Sequence, residues 1–109
     1  MIDFDELRKR MDHDLMFLTL RDYNNDYSDG PGQINKLYQS KSWSSLFLLA
    51  HSLKTILVSL GEQTATRSLA RIETNTSNDV APNLADIELI NTELRTINTQ
   101  IKKYLMRMD

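Results

Sequence analysis

The chain has 109 residues, of which 40% are hydrophobic and 26% charged, and its formal net charge at pH 7 is −2. A chain of this length has room for one core of normal size, so residues 1–109 are assigned to a single domain. The acidic balance argues against a protein that binds nucleic acid through bulk charge, and the absence of cysteine excludes disulfides and thiolate metal ligands.

The apolar residues are spread along the chain rather than gathered in one segment. No stretch approaches the ~18 consecutive apolar residues that a membrane span needs. The sequence starts with Met1-Ile2-Asp3-Phe4-Asp5-Glu6, which lacks the basic region and apolar run of a signal peptide. We therefore expect a cytoplasmic location without direct membrane insertion.

Glycine and proline are scarce, and their scarcity predicts the fold class. The chain has 3 glycines and 2 prolines, whereas average usage would make these two residues roughly 12% of a protein. A β-rich domain of this size would need turn residues every ~8–12 positions. The composition therefore predicts an all-α protein with few breaks.

Two helices are predicted before residue 30. Asp3 stands three residues before Glu6, a capping spacing that starts a short helix running to about Arg10. Asp12 can cap a second helix, and His13 beside it is interpreted as part of that helix start. Adjacent residues on a helix point in different directions, so a metal site there is not expected. The second helix has an apolar stripe at helical spacing, formed by Met16, Leu20, Tyr23 and Tyr27.

The segment Gly30-Pro31-Gly32 interrupts this stripe, which resumes at Ile34 and Leu37. Pro31 has no amide hydrogen to donate, so a kink or a local break is expected. The pattern fits both one bent helix and two separate pieces.

Three further helices are predicted in the remainder of the chain. The first runs from about Trp43 to Leu60 and ends at Gly61, which suits a left-handed helix cap. The next covers roughly Glu62–Thr74 and is followed by a polar loop over 75–79, and Pro82 suits the first turn of a last helix. That helix has a seam typical of a long helix in an antiparallel bundle, made of Ile87, Ile90, Leu94, Ile97, Ile101, Tyr104 and Met108.

The helix that begins at Trp43 places a histidine opposite its apolar stripe. With the α-helical step of about 100° per residue, one side of the helix collects Leu46, Leu49, Ala50, Leu53, Ile56, Leu57 and Leu60. His51 falls near the opposite side, and Lys54 follows it by one turn. The helical neighbours of His51 on this outer face include Ser44, Phe47, Leu48, Thr55 and Val58.

This outer face combines a nucleophile, a cation and apolar side chains. A neutral imidazole has one ring nitrogen with a free lone pair, which makes His51 a competent nucleophile. Lys54 could stabilise negative charge on a group that His51 accepts. Because a contiguous exposed apolar patch is typical of an interaction surface, the face predicts a protein partner.

The run from Trp43 to Glu73 resembles the histidine phosphotransfer (HPt) domain. The family pattern has an Ala-His-x-Leu-Lys core and a glycine ten residues after the histidine, and a Leu-Glu-like pair closes the next helix. This chain has Ala50-His51-Ser52-Leu53-Lys54, then Gly61, then Ile72-Glu73. The spacing from Tyr23 to Trp43 is also similar to that of the family. The resemblance implies an antiparallel four-helix bundle with a short extra N-terminal helix.

The resemblance also implies a function, that of a phosphorelay carrier. His51 would accept a phosphoryl group from the aspartate of one receiver domain and pass it to another. Lys54 would stabilise charge, and Glu73 matches the family position that orients the imidazole. The outer-face residues around His51 (Ser44, Phe47, Leu48, Thr55 and Val58) would dock the receiver.

Such a carrier needs no cofactor of its own, because the receiver domain brings the Mg²⁺. The sequence has no Gly-rich loop or P-loop, so no ATP-dependent kinase activity of its own is expected. The expected partners are response-regulator receiver domains, with a hybrid sensor kinase in cis as a further option. In that case the chain would form the cytoplasmic end of a membrane-bound kinase. A monomer that binds no nucleic acid and no metal is expected.

Two other functions fit parts of the sequence. The family usually has glycine or serine directly after the lysine, and often a small residue where this chain has Val58; here the residue after the lysine is Thr55. An inactive HPt-like bundle that binds a receiver or kinase without accepting phosphate is therefore an alternative. A helix-turn-helix DNA-binding protein is another, since 61–72 resembles a turn followed by a recognition helix, but the net charge of −2 argues against it.

Overall fold

The structure, a computed structural model, describes residues 1–108, and the side chain of Met108 lies outside the described part together with Asp109. The described chain is all-α, as the composition predicts. It forms six helices: α1 Phe4–Arg10, α2 His13–Tyr27, α3 Gly30–Gln39, α4 Trp43–Ser59, α5 Thr64–Ser77 and α6 Leu84–Met108. None of the helices within residues 1–108 has the length and apolar composition that crossing a membrane requires.

The first two helices start at the aspartates that the sequence indicates. The carboxylate of Asp3 accepts hydrogen bonds from the backbone N–H groups of Asp5 and Glu6, each 3.1 Å long. Asp12 accepts one from the N–H of Leu15 at 2.8 Å. These bonds satisfy amide groups that have no partner inside the helix, so both predicted caps are confirmed.

The Gly30-Pro31-Gly32 segment marks a true break between two helices. Pro31 lies at the second position of α3, where a missing amide hydrogen costs no helical hydrogen bond. Asn98 of α6 stabilises the junction, because its side chain accepts a 3.0 Å hydrogen bond from the Tyr23 hydroxyl and donates a 3.2 Å bond to the Ser28 carbonyl. The buried amide thus provides a partner for a carbonyl that the break leaves outside the helix.

Gly61 ends α4 in the left-handed conformation, with a φ of 75°. The N–H of Glu62 donates to the Leu57 carbonyl at 3.0 Å, and the N–H of Gly61 donates to the Val58 carbonyl at 3.0 Å, which is a glycine-based C-cap. A side chain at position 61 would collide with the guanidinium group of Arg10. The backbone angle therefore favours glycine at this position, whereas the Arg10 guanidinium group is the end of a flexible side chain and can move away.

The boundaries of α5 and α6 differ from the prediction. Helix α5 continues past Thr74 to Ser77, because polar side chains in its last turns donate back to helix carbonyls instead of forming a loop. Thr76, for example, is buried and its hydroxyl bonds the Ile72 carbonyl at 2.8 Å. Helix α6 begins at Leu84, so Pro82 precedes the helix rather than occupying its first turn.

One core connects the helices. Helix α4 packs against α5 and α3, while α6 packs against α5, α3 and α2, and α1 packs on α2. The apolar seam of α6 is buried from Ile87 to Ile101, and Tyr104 packs against the same cluster. The fully buried side chains from the other helices include Leu7, Met16, Leu20, Ile34, Leu46, Leu53, Leu57, Leu69 and Ile72.

Glu62 has a structural role that the sequence did not reveal. It lies outside α5 and is only 2% exposed, yet its carboxylate accepts three backbone N–H groups, from Thr64 at 2.9 Å, Ala65 at 3.0 Å and Thr66 at 3.1 Å. Burial alone would raise the pKa of this carboxyl. The hydrogen bonds from Ala65 and Thr66, together with the ammonium group of Met1 at 3.1 Å, outweigh burial and hold the pKa below its ordinary value.

We predict that Glu62→Gln lowers the free energy of unfolding by about 1–2 kcal/mol at pH 7, because it removes a charged acceptor at a helix start. A lowered carboxyl pKa gives stability that is present above the ordinary value of 4.5 and is lost as the pH falls through the folded-state pKa. The difference in the free energy of unfolding between wild type and variant should therefore become smaller at acidic pH. Urea unfolding at several pH values measures it, with exposed Glu88→Gln as the control. A gap that stays constant with pH would contradict this role.

Candidate functional site

Helix α4 separates its residues into a buried and an exposed side, and His51 lies on the exposed one. Leu46, Ala50, Leu53 and Leu57 are buried, whereas the side chain of His51 is 58% exposed. The helical step that turns the four apolar residues into the core therefore turns the imidazole toward solvent.

His51 and Lys54 share one carboxylate, which Glu73 supplies from α5. Nδ1 of His51 lies 3.4 Å from Oε2 of Glu73. The Lys54 ammonium donates to the same Oε2 at 3.1 Å and lies 3.1 Å from Oε1. The second contact is ionic rather than a well-aligned hydrogen bond, because Oε1 is a buried atom without a hydrogen-bond donor. Only 12% of the Glu73 side chain is exposed.

The contact with Glu73 selects between the two neutral forms of the ring. A carboxylate beside Nδ1 favours the tautomer that carries the proton on Nδ1, since that proton can be donated to Oε2. The lone pair then lies on Nε2. Within residues 1–108, no side chain or backbone group forms a hydrogen bond with Nε2. In this tautomer the arrangement offers an exposed ring nitrogen with a free lone pair as the nucleophile.

Phe47 packs beside the imidazole in a nearly parallel, offset arrangement. It lies one turn before His51 on α4, and the two ring centroids are 6.0 Å apart with an angle of 17° between the ring planes. Side chains on a helix lean toward its N-terminus, so residues i and i+4 meet on the surface. The Phe47 ring is half-buried, unlike the imidazole above it.

The exposed α4 residues around this stack include two large apolar side chains. Leu48 is 64% exposed and Val58 is 56% exposed, while Ser44 and Thr55 are exposed polar residues of the same helix. The Thr55 hydroxyl donates a 2.9 Å hydrogen bond to the His51 carbonyl, so its polar group is directed to the helix backbone. Large exposed apolar side chains on one helix face are typical of a surface that contacts a partner.

His13, the other histidine of the chain, lies at the exposed start of α2, as the sequence predicts. Among the described residues no group of three or more His, Asp or Glu side chains is placed to hold a metal ion. The sequence missed two features of the site, the ion pair between Lys54 and Glu73 and the stacking of Phe47 on His51. The spacing of Phe47 and His51 signals the second feature, whereas nothing local signals the first.

Comparison with known proteins adds no relative to this description. No protein-family model, curated protein or solved structure matches the chain. A functional assignment therefore depends on the site itself and on the resemblance in the run from Trp43 to Glu73.

Proposed function

We propose that this chain is a phosphorelay carrier of the HPt type, in which His51 accepts a phosphoryl group from a receiver-domain aspartate and passes it to another receiver. The observation that carries the proposal is the exposed imidazole whose Nδ1 faces the Glu73 carboxylate at 3.4 Å. A shuttle needs a nucleophile that a second protein can reach from solvent, and an imidazole on the outside of a helix meets that need.

The proposed architecture is an antiparallel four-helix bundle in which α2 and α3 together make one member and α4, α5 and α6 make the others. Helix α1 is the extra N-terminal helix. The contacts of α4 with α3 and α5, and of α6 with α2, α3 and α5, support this arrangement.

The transfer itself requires little from this chain. The Nε2 lone pair forms a bond to phosphorus while the bond from phosphorus to the aspartate oxygen breaks, and the aspartate leaves as a carboxylate. Nδ1 keeps its proton, so the phosphorylated ring becomes cationic. The Glu73 carboxylate accepts a hydrogen bond from that N–H and stabilises the positive charge.

Lys54 supplies the positive charge for the phosphoryl oxygens. Its ammonium group follows His51 by three residues, a spacing that puts the two side chains on one face. Phosphoryl transfer depends on in-line positioning and charge neutralisation, to which a metal ion usually contributes. We assign that ion, Mg²⁺, to the receiver, and we assign no cofactor and no ATP-dependent kinase activity to this chain.

The exposed residues around His51 form the proposed docking surface, consisting of Ser44, Phe47, Leu48, Thr55 and Val58. Its apolar members would meet an apolar patch on the receiver. The carrier is proposed to act in the cytoplasm as a monomer, either alone or as part of a hybrid sensor kinase.

Replacing His51 tests the carrier role most directly. A phosphorylated receiver should label the wild-type chain with acid-labile phosphate, ATP alone should not, and His51→Gln should abolish the labelling because it removes the only proposed nucleophile. Radiolabelled transfer from a panel of purified receivers measures this, with His13→Gln as the control. Labelling of His51→Gln at the wild-type rate would refute the proposal. A wild type that binds a receiver but takes up no phosphate would favour the inactive alternative, for which Thr55 and Val58 are the sequence support.

Lys54→Ala should slow transfer about tenfold, because it removes one charge-assisted contact worth about 1.5–3 kcal/mol at most. Lys54→Arg keeps the charge and should retain most of the rate. Single-turnover transfer from the same receiver measures both, with exposed Lys102→Ala as a control on the far helix. Equal rates for Lys54→Ala and wild type would remove the electrostatic role of Lys54.

Leu48→Glu should raise the Kd for the receiver about tenfold, as expected for an apolar contact residue at an interface. The thermal midpoint should change by less than about 4 °C, because Leu48 is 64% exposed and surface substitutions cost little stability. Titration calorimetry and thermal unfolding give the two values. Leu89→Glu on α6, where Leu89 is 41% exposed, is the matched control. Unchanged receiver affinity for Leu48→Glu would place the docking surface elsewhere.

A further inference from the structure

Phe47 differs from the other members of the docking surface because it contacts the reacting side chain. Leu48 and Val58 are more than half exposed, but Phe47 is half-buried and its ring stacks on the imidazole of His51. Helical spacing brings the two side chains together, and the angle of 17° between the planes sets the Phe47 ring nearly parallel to the imidazole. Phe47 is therefore placed to act on the orientation of the His51 ring itself.

The imidazole needs more than Glu73 to keep its orientation. One contact at Nδ1, 3.4 Å long, fixes one atom of the ring, and a 58% exposed histidine otherwise exchanges between its allowed χ1 rotamers and samples a broad range of χ2. A flat partner on one face limits rotation about the second torsion, because turning the ring out of plane would break the stacked contact. The stack and the carboxylate therefore restrict different motions.

We propose that Phe47 is a positioning residue, which holds the His51 ring in the plane where Nδ1 faces Glu73 and Nε2 faces solvent. This inference rests on the proposed function for its consequence in phosphoryl transfer, but the positioning itself is a property of the resting protein. With Phe47 packed nearly parallel to the ring and Glu73 facing Nδ1, Nε2 presents its lone pair in a single direction. In-line attack on phosphorus requires such a fixed direction.

The first experiment measures the ring without any partner. In the ¹⁵N-labelled protein at alkaline pH, where the imidazole is neutral, the nitrogen chemical shifts report the fraction of the tautomer with the proton on Nδ1. Phe47→Leu keeps an apolar side chain but removes the flat ring. In this variant, the ratio of the tautomer protonated on Nδ1 to the tautomer protonated on Nε2 should fall at least twofold for His51. Phe47→Tyr keeps the stack and should retain the wild-type ratio. Phe17→Leu on α2 is the matched control and should leave His51 unchanged.

The second experiment measures transfer and separates positioning from docking. Phe47→Leu should lower the maximum transfer rate from a phosphorylated receiver about three- to tenfold, the effect expected for loss of one aromatic pair. The receiver concentration for half-maximal rate should change less than twofold. Labelling by phosphoramidate, a small donor that needs no docking surface, should slow by a similar factor.

The outcomes distinguish the two proposals. If Phe47→Leu keeps the wild-type tautomer ratio and maximum rate but raises the half-saturating receiver concentration, Phe47 is a docking residue and the inference is wrong. If no phosphorylated receiver labels the wild type, the proposed function fails, while the nitrogen shifts and phosphoramidate labelling still decide whether Phe47 positions the ring. A Phe47→Leu protein that unfolds at a much lower temperature is replaced by Phe47→Met, which fills similar volume without a flat ring.

Discussion

Burial of the apolar stripe of α4 is the constraint on which the arrangement of the site depends. Leu46, Ala50, Leu53 and Leu57 are fully buried, and burial of each of the three leucine side chains contributes about 1.5–3 kcal/mol relative to exposure. Rotating α4 to bury His51 would expose these residues, at a cost no single contact in the site could offset. The exposure of the imidazole is therefore a consequence of core packing, whereas the orientation of its ring depends on Glu73 and Phe47.

Much of the fold follows from short-range rules that act within one helix. The 100° step places Leu46 and His51 on opposite sides of α4. Asp3 and Asp12 accept amide hydrogens because the first N–H groups of a helix have no partner within it. Gly61 adopts a backbone angle that other residue types adopt rarely. The end of α5 does not follow from such rules, because threonine and serine hydroxyls can bond either to loop amides or to helix carbonyls. The buried Thr76 hydroxyl donates to the Ile72 carbonyl of the helix. The sequence predicts Glu62 inside α5, whereas the structure has it in the preceding turn, where its carboxylate accepts hydrogen bonds from three backbone amides.

In the candidate site, too, some contacts follow from spacing within one helix and others depend on how the helices pack. His51, Lys54 and Phe47 belong to one helix, so their spacing already makes them neighbours. Glu73 is 22 residues from His51 in the chain, and only the family resemblance pointed to it. Its contact depends on the register between α4 and α5, which the turn at Gly61 and Glu62 determines. The orientation of the Phe47 ring depends on side-chain torsions, which a sequence pattern does not specify.

The shared carboxylate of Glu73 has a consequence for how a partner approaches. Glu73 pairs with Lys54 at 3.1 Å, so the two charges nearest His51 largely offset each other in the resting protein. At the other end of the same helix face, Val58 lines a pocket together with Arg10 and Arg67. Charges within a Debye length of about 10 Å act on an approaching molecule before contact, so positive charge acts from the Val58 end of α4 rather than from beside His51. An acidic surface would accordingly be drawn to that end of the helix first.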